Sequence, residues 1–429
     1  MGTSSRIAQF PRAQWLESYA AIRNASLAIC APLEVEDTCI QTMVDVSPPK
    51  WHLAHTSWFF ETFLLLPYAQ NYKTYHPTYD YLFNSYYLTH GQPYPRAQRG
   101  LLSRPTLREI LDYRAVVDDA MQDLIARLDE QRFIEFAFLL ELGLNHEQQH
   151  QELLYTDIKH ILAHNPMHPA YLEAGPRVSD VNLKNTSQAA LGWLKLQGGI
   201  VDVGDCGNGF AYDNEGPRHR VLLQDYALAK RLVSNAEYLE FINDGAYQRP
   251  EFWLSEGWSA SQQHGWSAPL YWEHDGTDWR QFGFWGMQAI EPNAAVCHVS
   301  FYEADAYARW AGKRLPTELE WEHVASGQTI AGNLREQGAL QTRPAQSTEM
   351  TQLYGDAWEW TASPYGPYPG YRPAAGSIGE YNGKFMCSQM VLRGGSFATP
   401  QAHIRASYRN FFYPADRWQF SGIRLAEDA

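Results

Sequence analysis

Cysteine is scarce in this chain. Five residues, Cys30, Cys39, Cys206, Cys297 and Cys387, are spread over 429 positions, and no two form a C-x-x-C pair. An odd, scattered set excludes a disulfide framework and fits a reducing cytoplasm. Basic residues are also in deficit: 34 Lys and Arg face 48 Asp and Glu, for a net charge of −14. That balance argues against a nucleic-acid partner, because such binding rests on cations that neutralise phosphates. No basic stretch followed by an apolar one opens the sequence, so no signal peptide is expected. The longest apolar runs fall far short of a membrane span, and no repeat of fixed period is visible. A cytoplasmic protein with no nucleic-acid or membrane partner is expected, and its oligomeric state stays open.

What the chain has in quantity is aromatic side chains: 15 Trp, 26 Tyr and 19 Phe. Most serve as core, but they also suit pockets for flat rings and cations. The length predicts two domains, each able to bury a core. The first 170 residues read as four amphipathic helices. One runs from about Arg12 to Ile29, with Trp15, Tyr19 and Ile22 on one face. The second starts at Ser47-Pro48-Pro49, with a stripe of Trp51, His55, Trp58, Phe59, Thr62 and Leu66. The third is opened by the capping box Thr106-Leu107-Arg108-Glu109, and the fourth runs from about Phe133 to Ala163. Residues 71–106 hold seven tyrosines and several prolines, too long and too aromatic for a mere connection; an ordered, functional loop is expected.

The chemistry-bearing stretch is Asn145-His146-Glu147-Gln148-Gln149-His150. Histidines four apart lie one turn apart on one helix face, from which both imidazoles can reach one metal ion. Trp51-His52-Leu53-Ala54-His55 offers a third ligand. Three neutral imidazoles leave open positions on a metal, the layout of a catalytic site. The competing reading is structural: a His-x-x-x-His pair is often two half-buried histidines, and a His on an apolar stripe is often a satisfied core residue. Ligand type alone does not separate iron from zinc.

After a linker from about residue 171 to 191 the pattern changes to Gly, Trp and short alternating runs. Helices are expected at Asn235–Asn243 and Tyr302–Ala311, within a mixed α/β domain over 192–429. Four stretches of it, Asp213-Asn214-Glu215-Gly216-Pro217, Arg314 to Glu322, Gly355 to Thr361 and Arg393-Gly394-Gly395-Ser396-Phe397, resemble the formylglycine-generating-enzyme/sulfatase-modifying family, a variant of the C-type-lectin fold. The oxidases of that family use a cysteine pair near the C-terminus. Here no cysteine follows Cys387, so that activity is not expected.

The first domain resembles the DinB-like metal-binding bundle, and the two domains together resemble the ergothioneine-biosynthesis sulfoxide synthases. The resemblance rests on Trp51 to His55, Asn84-Ser85-Tyr86-Tyr87, Arg96-Ala97-Gln98-Arg99-Gly100, the His146/His150 pair, and Tyr408 to Phe412 with Arg417 to Phe420. It implies a four-helix bundle followed by a C-type-lectin-like domain. It implies Fe(II) as cofactor and O2 as co-substrate, with His55, His146 and His150 as metal ligands. The implied reaction joins a thiol to the imidazole C2 of hercynine and oxidises the sulfur to a sulfoxide. Further roles follow from the same resemblance: Tyr86 and Tyr87 as proton donors, Arg96 and Arg99 as a clamp on a substrate carboxylate, and Gln149 and Asp45 facing substrate. Asn410, Phe411 and Phe412 are the segment expected to close the pocket. Phe412 stands where an acidic residue would hold a glutamyl amine, so cysteine is expected over γ-glutamylcysteine as the thiol. Other readings are a selenium-analogue synthase using a selenosugar, a zinc-dependent thiol transferase of the DinB-like type, and a lectin-like binding module.

Overall fold

The protein is described by a computed structural model that covers residues 11–173 and 191–429; most of the expected linker lies outside the described residues. The chain forms two compact units. Of the described residues, the first comprises those up to Pro166 together with Gly207–Ala211 and Pro373–Tyr381, and the second comprises the others. Among the described residues no helix is long and apolar enough to cross a membrane.

The first unit is built on four helices: α1 (Arg12–Cys30), α2 (Pro49–Phe60), α3 (Leu107–Arg127) and α4 (Glu130–Ala163). Each start has a local cause. Proline occupies the first helical position of α2, where its missing N–H costs nothing. Thr106 and Glu109 form the reciprocal capping box of α3, with Glu109 N donating to Thr106 Oγ1 at 3.2 Å and Thr106 N to Glu109 Oε2 at 2.7 Å. Asp129 caps α4 by accepting from Arg132 N at 3.0 Å, which starts that helix three residues earlier than periodicity suggests.

Helix α2 departs most from its expected single stripe: all twelve of its residues are buried. A helix surrounded by protein must have every polar side chain satisfied internally. Lys50 Nζ donates to Pro105 O at 3.1 Å, Ser57 Oγ accepts from Arg23 at 2.9 Å, and Thr56 Oγ1 accepts from Arg114 at 3.1 Å. A five-residue π-helical stretch, Glu61–Leu65, follows. Its buried Glu61 accepts from the hydroxyls of Tyr113 (2.6 Å) and Tyr72 (2.9 Å) and from Tyr75 N (2.8 Å), tying the aromatic loop to the bundle. Gly143 lets α4 approach α2: a Cβ there would lie 2.7 Å from Phe60 Cε1, closer than side chains pack. A glycine in a helix interior costs about 1 kcal/mol, and here it sets how near the histidines of α4 come to those of α2.

The described residues of the second unit carry four short sheets. The most buried has the strand order Asn410–Phe412, Met390–Arg393, Trp358–Pro364, Ser421–Gly422; the first two pairings are antiparallel and the last parallel. Helices α5 (Asn235–Asn243), α6 (Ser255–Gln263), α7 (Phe301–Trp310) and α8 (Glu318–Ala325) accompany them. The sequence motifs of this domain are its framework. Thr317 and Glu320 cap α8, Trp321 Nε1 donates to Glu359 at 2.8 Å, and Arg393 reaches both Glu318 (3.0 Å) and Glu322 (2.7 Å) in the interior. Gly394, at φ +95°, leaves room for the Leu353 carbonyl, which a Cβ would approach to 2.7 Å.

Candidate metal centre

His55 comes from the middle of α2 and His146 and His150 from successive turns of α4, so one helix pair delivers three imidazoles to one point. One ring nitrogen from each lies within 4.8 Å of the other two. His55 Nε2 faces His146 Nε2 at 3.2 Å. Donors about 2.1 Å from one ion and at right angles around it stand about 3 Å apart, so that spacing suits a shared ion. His55 and His146 are buried and His150 is half-buried. His55 Nδ1 donates to the Phe83 carbonyl at 2.6 Å, which leaves its Nε2 lone pair directed at the cluster.

Burial holds the three rings neutral. It pushes His146 down to about 3, against the pull of the neighbouring Glu147 carboxylate. His55 and His150 are likewise lowered well below the usual imidazole range, first by burial and then by His146. Neutral nitrogen is the form that binds a metal.

Behind His146, Glu147 points the other way, into a buried polar cluster that sequence reading missed. Its carboxylate accepts from Arg23 Nη1 at 2.9 Å, from Arg114 Nη2 and from Ser26 Oγ at 2.6 Å. Arg23 is further paired with Asp118 at 2.6 Å. The signal was present as an acid inside a buried turn of α4 and arginines on the inner faces of α1 and α3. Ile22, expected on the inner face of α1, is half-buried, and Arg23 takes the interior position because Glu147 is there to receive it.

Above the histidines lies a stack. The Trp51 ring is parallel to His55, with centroids 4.7 Å apart and 9° between planes. On Trp51 sits the Arg99 guanidinium, 3.4 Å from the ring. Arg99 is only 3% exposed, and its hydrogen bonds go to the hydroxyls of Ser47 (2.9 Å) and Ser85 (3.4 Å). Among the described residues no carboxylate pairs with it and its Nε has no partner. Burial, then Arg96, pushes its ionisation down. Arg96 and Asp45 pair with each other at 3.4 Å, both half-exposed.

The expected tyrosines line the same region. Asn84 holds their turn by accepting from Tyr87 N at 3.0 Å and donating to the carbonyls of Tyr87 (3.2 Å) and Gly91 (3.1 Å). Tyr87 is fully buried and contacts Trp58, which in turn stacks on His55. Tyr86 is half-buried and stacks on Tyr87 at 4.6 Å. Residues 373–381, distant in sequence, bring a further tyrosine. Tyr381 donates to Gln149 Oε1, and its ring lies 5.7 Å from that of His146 and 6.4 Å from that of Tyr86. Glu380 fixes this segment by accepting from Leu88 N (3.2 Å) and Thr89 N (2.9 Å).

Asn410, Phe411 and Phe412 belong to the second unit, where they form an edge strand paired with Met390–Arg393. Phe411 stacks on Tyr365 at 4.0 Å, and Phe412 meets the Trp418 ring edge-on at 5.6 Å.

Comparison with known proteins gives two domain matches. Residues 179–429 match the sulfatase-modifying factor enzyme 1-like domain, and residues 18–154 match the DinB superfamily. The chain is 34% identical to the hercynine oxygenase of Mycolicibacterium smegmatis, over 68% of this chain and 72% of that protein. It is 30% identical to the hercynine oxygenase of Mycolicibacterium thermoresistibile, over 97% and 95% of the two chains. It is 32% identical to that of Mycobacterium tuberculosis, over 91% and 93%.

Proposed function

The chain belongs to the hercynine oxygenase family, and from that premise we propose that it is a hercynine sulfoxide synthase, an oxygen-dependent oxidoreductase of ergothioneine biosynthesis. The observation that carries the reading is the convergence of His55, His146 and His150 on one point with their nitrogens neutral. We assign these three residues as the ligands of Fe(II). When bound, that ion supplies oxygen activation and a seat for a thiolate sulfur. The overall reaction is hercynine plus thiol plus O2 giving the sulfoxide and water. The C2–H and S–H bonds are lost, the C–S and S–O bonds form, and O2 is fully reduced.

The chain's own residues bind and orient the reactants. Arg99 is the assigned seat of a substrate carboxylate. Burying a guanidinium with no carboxylate in direct contact, only the field of Asp157, is costly, and an anionic ligand would relieve that cost with charge-assisted hydrogen bonds. Arg96 and Asp45 flank this position as a pair of opposite charges. Arg99→Lys keeps a charge but loses the planar fork and the stacking on Trp51. It is expected to raise KM for one amino-acid substrate by about 10-fold or more, with iron content unchanged. Steady-state kinetics with each substrate varied in turn checks this, and unchanged KM values for both would remove Arg99 from the site.

Tyr86 and Tyr87 are the assigned proton donors, with Tyr381 beside them. A phenol at the reacting oxygen commits turnover to C–S bond formation instead of plain thiol oxidation. Tyr86→Phe should therefore retain iron and both substrates while shifting product from hercynine sulfoxide toward oxidised thiol. If the ratio of the two products stays at the wild-type value, the donor role passes to Tyr87 or Tyr381. Gln149 holds the Tyr381 hydroxyl and so couples that phenol to the ligand-bearing turn of α4.

Cysteine is the proposed thiol on the sequence resemblance alone, in which Phe412 stands where an acidic residue would receive the ammonium group of a glutamyl extension. The experiment that tests the function is product identification by mass after incubation of iron-loaded protein with hercynine, O2 and cysteine or γ-glutamylcysteine separately. The reading expects the cysteine-derived sulfoxide to dominate.

A further inference from the structure

His52 lies next to the assigned ligands in sequence but is not one of them. It is buried, and both of its ring nitrogens are engaged. Nδ1 meets His150 Nδ1 at 2.8 Å, and Nε2 meets Asp157 Oδ2 at 2.9 Å. Asp157 is buried as well, and its carboxylate also accepts from Ser47 N at 2.8 Å and Thr156 Oγ1 at 3.2 Å. Three helical turns are thus linked in one chain of hydrogen bonds that ends on a carboxylate.

The direction of donation in this chain follows from its end. An ionised carboxylate only accepts, so His52 Nε2 carries the proton it shares with Asp157. With its Nδ1 engaged by His52, His150 has Nε2 left for the ion, and a neutral ring that offers a lone pair there carries its proton on Nδ1 and donates it to His52 Nδ1. His150 is thereby held as the tautomer whose Nε2 lone pair is free. His55 reaches the same tautomer by another route, through the Phe83 carbonyl. The two ligands from different helices are therefore oriented by different acceptors, one from the backbone and one built from two side chains.

We propose that His52 and Asp157 are positioning residues that fix the tautomer and ring orientation of His150 for metal binding. The inference rests on the three-histidine reading above. Outer partners of a metal-bound histidine of this kind typically contribute 10- to 100-fold in metal affinity. A carboxylate reached through a second imidazole extends that arrangement by one ring. It also accounts for two buried polar side chains that the proposed reaction does not otherwise use.

The test uses Co(II) as probe in the full chain, read by its affinity and by its visible absorption. His52→Phe removes the acceptor for His150 and should weaken Co(II) binding by about 10- to 100-fold with an altered absorption band. Asp157→Asn keeps an oxygen able to accept from His52 and should stay within a few-fold of wild type. His52→Gln, whose amide oxygen can accept from His150, should likewise retain most of the affinity, and it carries the test alone if His52→Phe fails to fold. A His52→Phe protein with wild-type affinity and spectrum overturns the proposal, as does a His52→Gln protein weakened 10-fold or more. His150→Ala separates the two levels of the argument. Loss of binding there with none in His52→Phe sinks the positioning role alone, whereas unchanged binding in His150→Ala sinks the ligand assignment beneath it.

Discussion

Glu147→Gln is expected to destabilise the first unit by about 3–5 kcal/mol. The carboxylate is fully buried and serves Arg23, Arg114 and Ser26 at once. Among the described residues, removing its charge leaves Arg114 with no other ion pair and Arg23 with Asp118 alone. Burial by itself would raise the Glu147 carboxyl; the two guanidiniums outweigh it and hold the group down to about 2, against an ordinary value of 4.5. The shift corresponds to about 3 kcal/mol, in line with the cost of breaking the pair. The sign of the pH dependence follows. A depressed carboxyl contributes its full stability above about pH 4.5, and that contribution fades as pH falls toward 2. Urea titration of wild type and variant at pH 7 reads the main effect. A midpoint shift worth less than about 1 kcal/mol would show that the cluster is far less coupled than its geometry implies. The variant should also lose the difference from wild type as the pH is lowered through this window.

The second large effect belongs to the three histidines proposed to hold iron. His55→Ala, His146→Ala and His150→Ala are each expected to lower iron affinity by more than about 100-fold, since loss of a ligand exceeds loss of an outer partner. The fold should survive, because removing a buried imidazole leaves a hole but no unpaired charge. His146→Ala opens space beside the Phe59 ring, 4.6 Å away, and His55→Ala opens it beside the Trp51 ring, 4.7 Å away. Iron content after equilibration with a stoichiometric supply, together with a thermal melt, separates the two outcomes. A variant with wild-type iron content is not missing a ligand.

The convergence of the three histidines was legible in the sequence because it follows helical spacing. A pair four residues apart on α4 needs only the regularity of one helix, and His55 needs only that α2 packs against it. The tyrosine turn was legible as a local pattern, and Asn84 fixes it through hydrogen bonds three and seven residues away. What was not legible depends on contacts far apart in sequence. Glu147 meets an arginine 124 residues away, and Tyr381 meets Gln149 at a separation of 232. No period or spacing carries such information. The full burial of α2 was hidden for a related reason: its polar residues read as an outer face, and only the partners supplied by α1, α3 and the aromatic loop allow them inside. Helix α6 was missed because its first turn has no side-chain cap and it buries only Gly257 and Ser261, which leaves no apolar stripe, and α8 lies within a stretch read first as a motif.

The three-histidine centre is proposed to couple O2 reduction to joining a thiol with hercynine. Oxygen uptake by the iron-loaded protein measures it most directly. The account predicts rapid uptake only when hercynine and cysteine are both present, with one O2 consumed per sulfoxide formed. Uptake that proceeds at the same rate with cysteine alone, or sulfoxide formed at full rate by the His146→Ala protein, would contradict it.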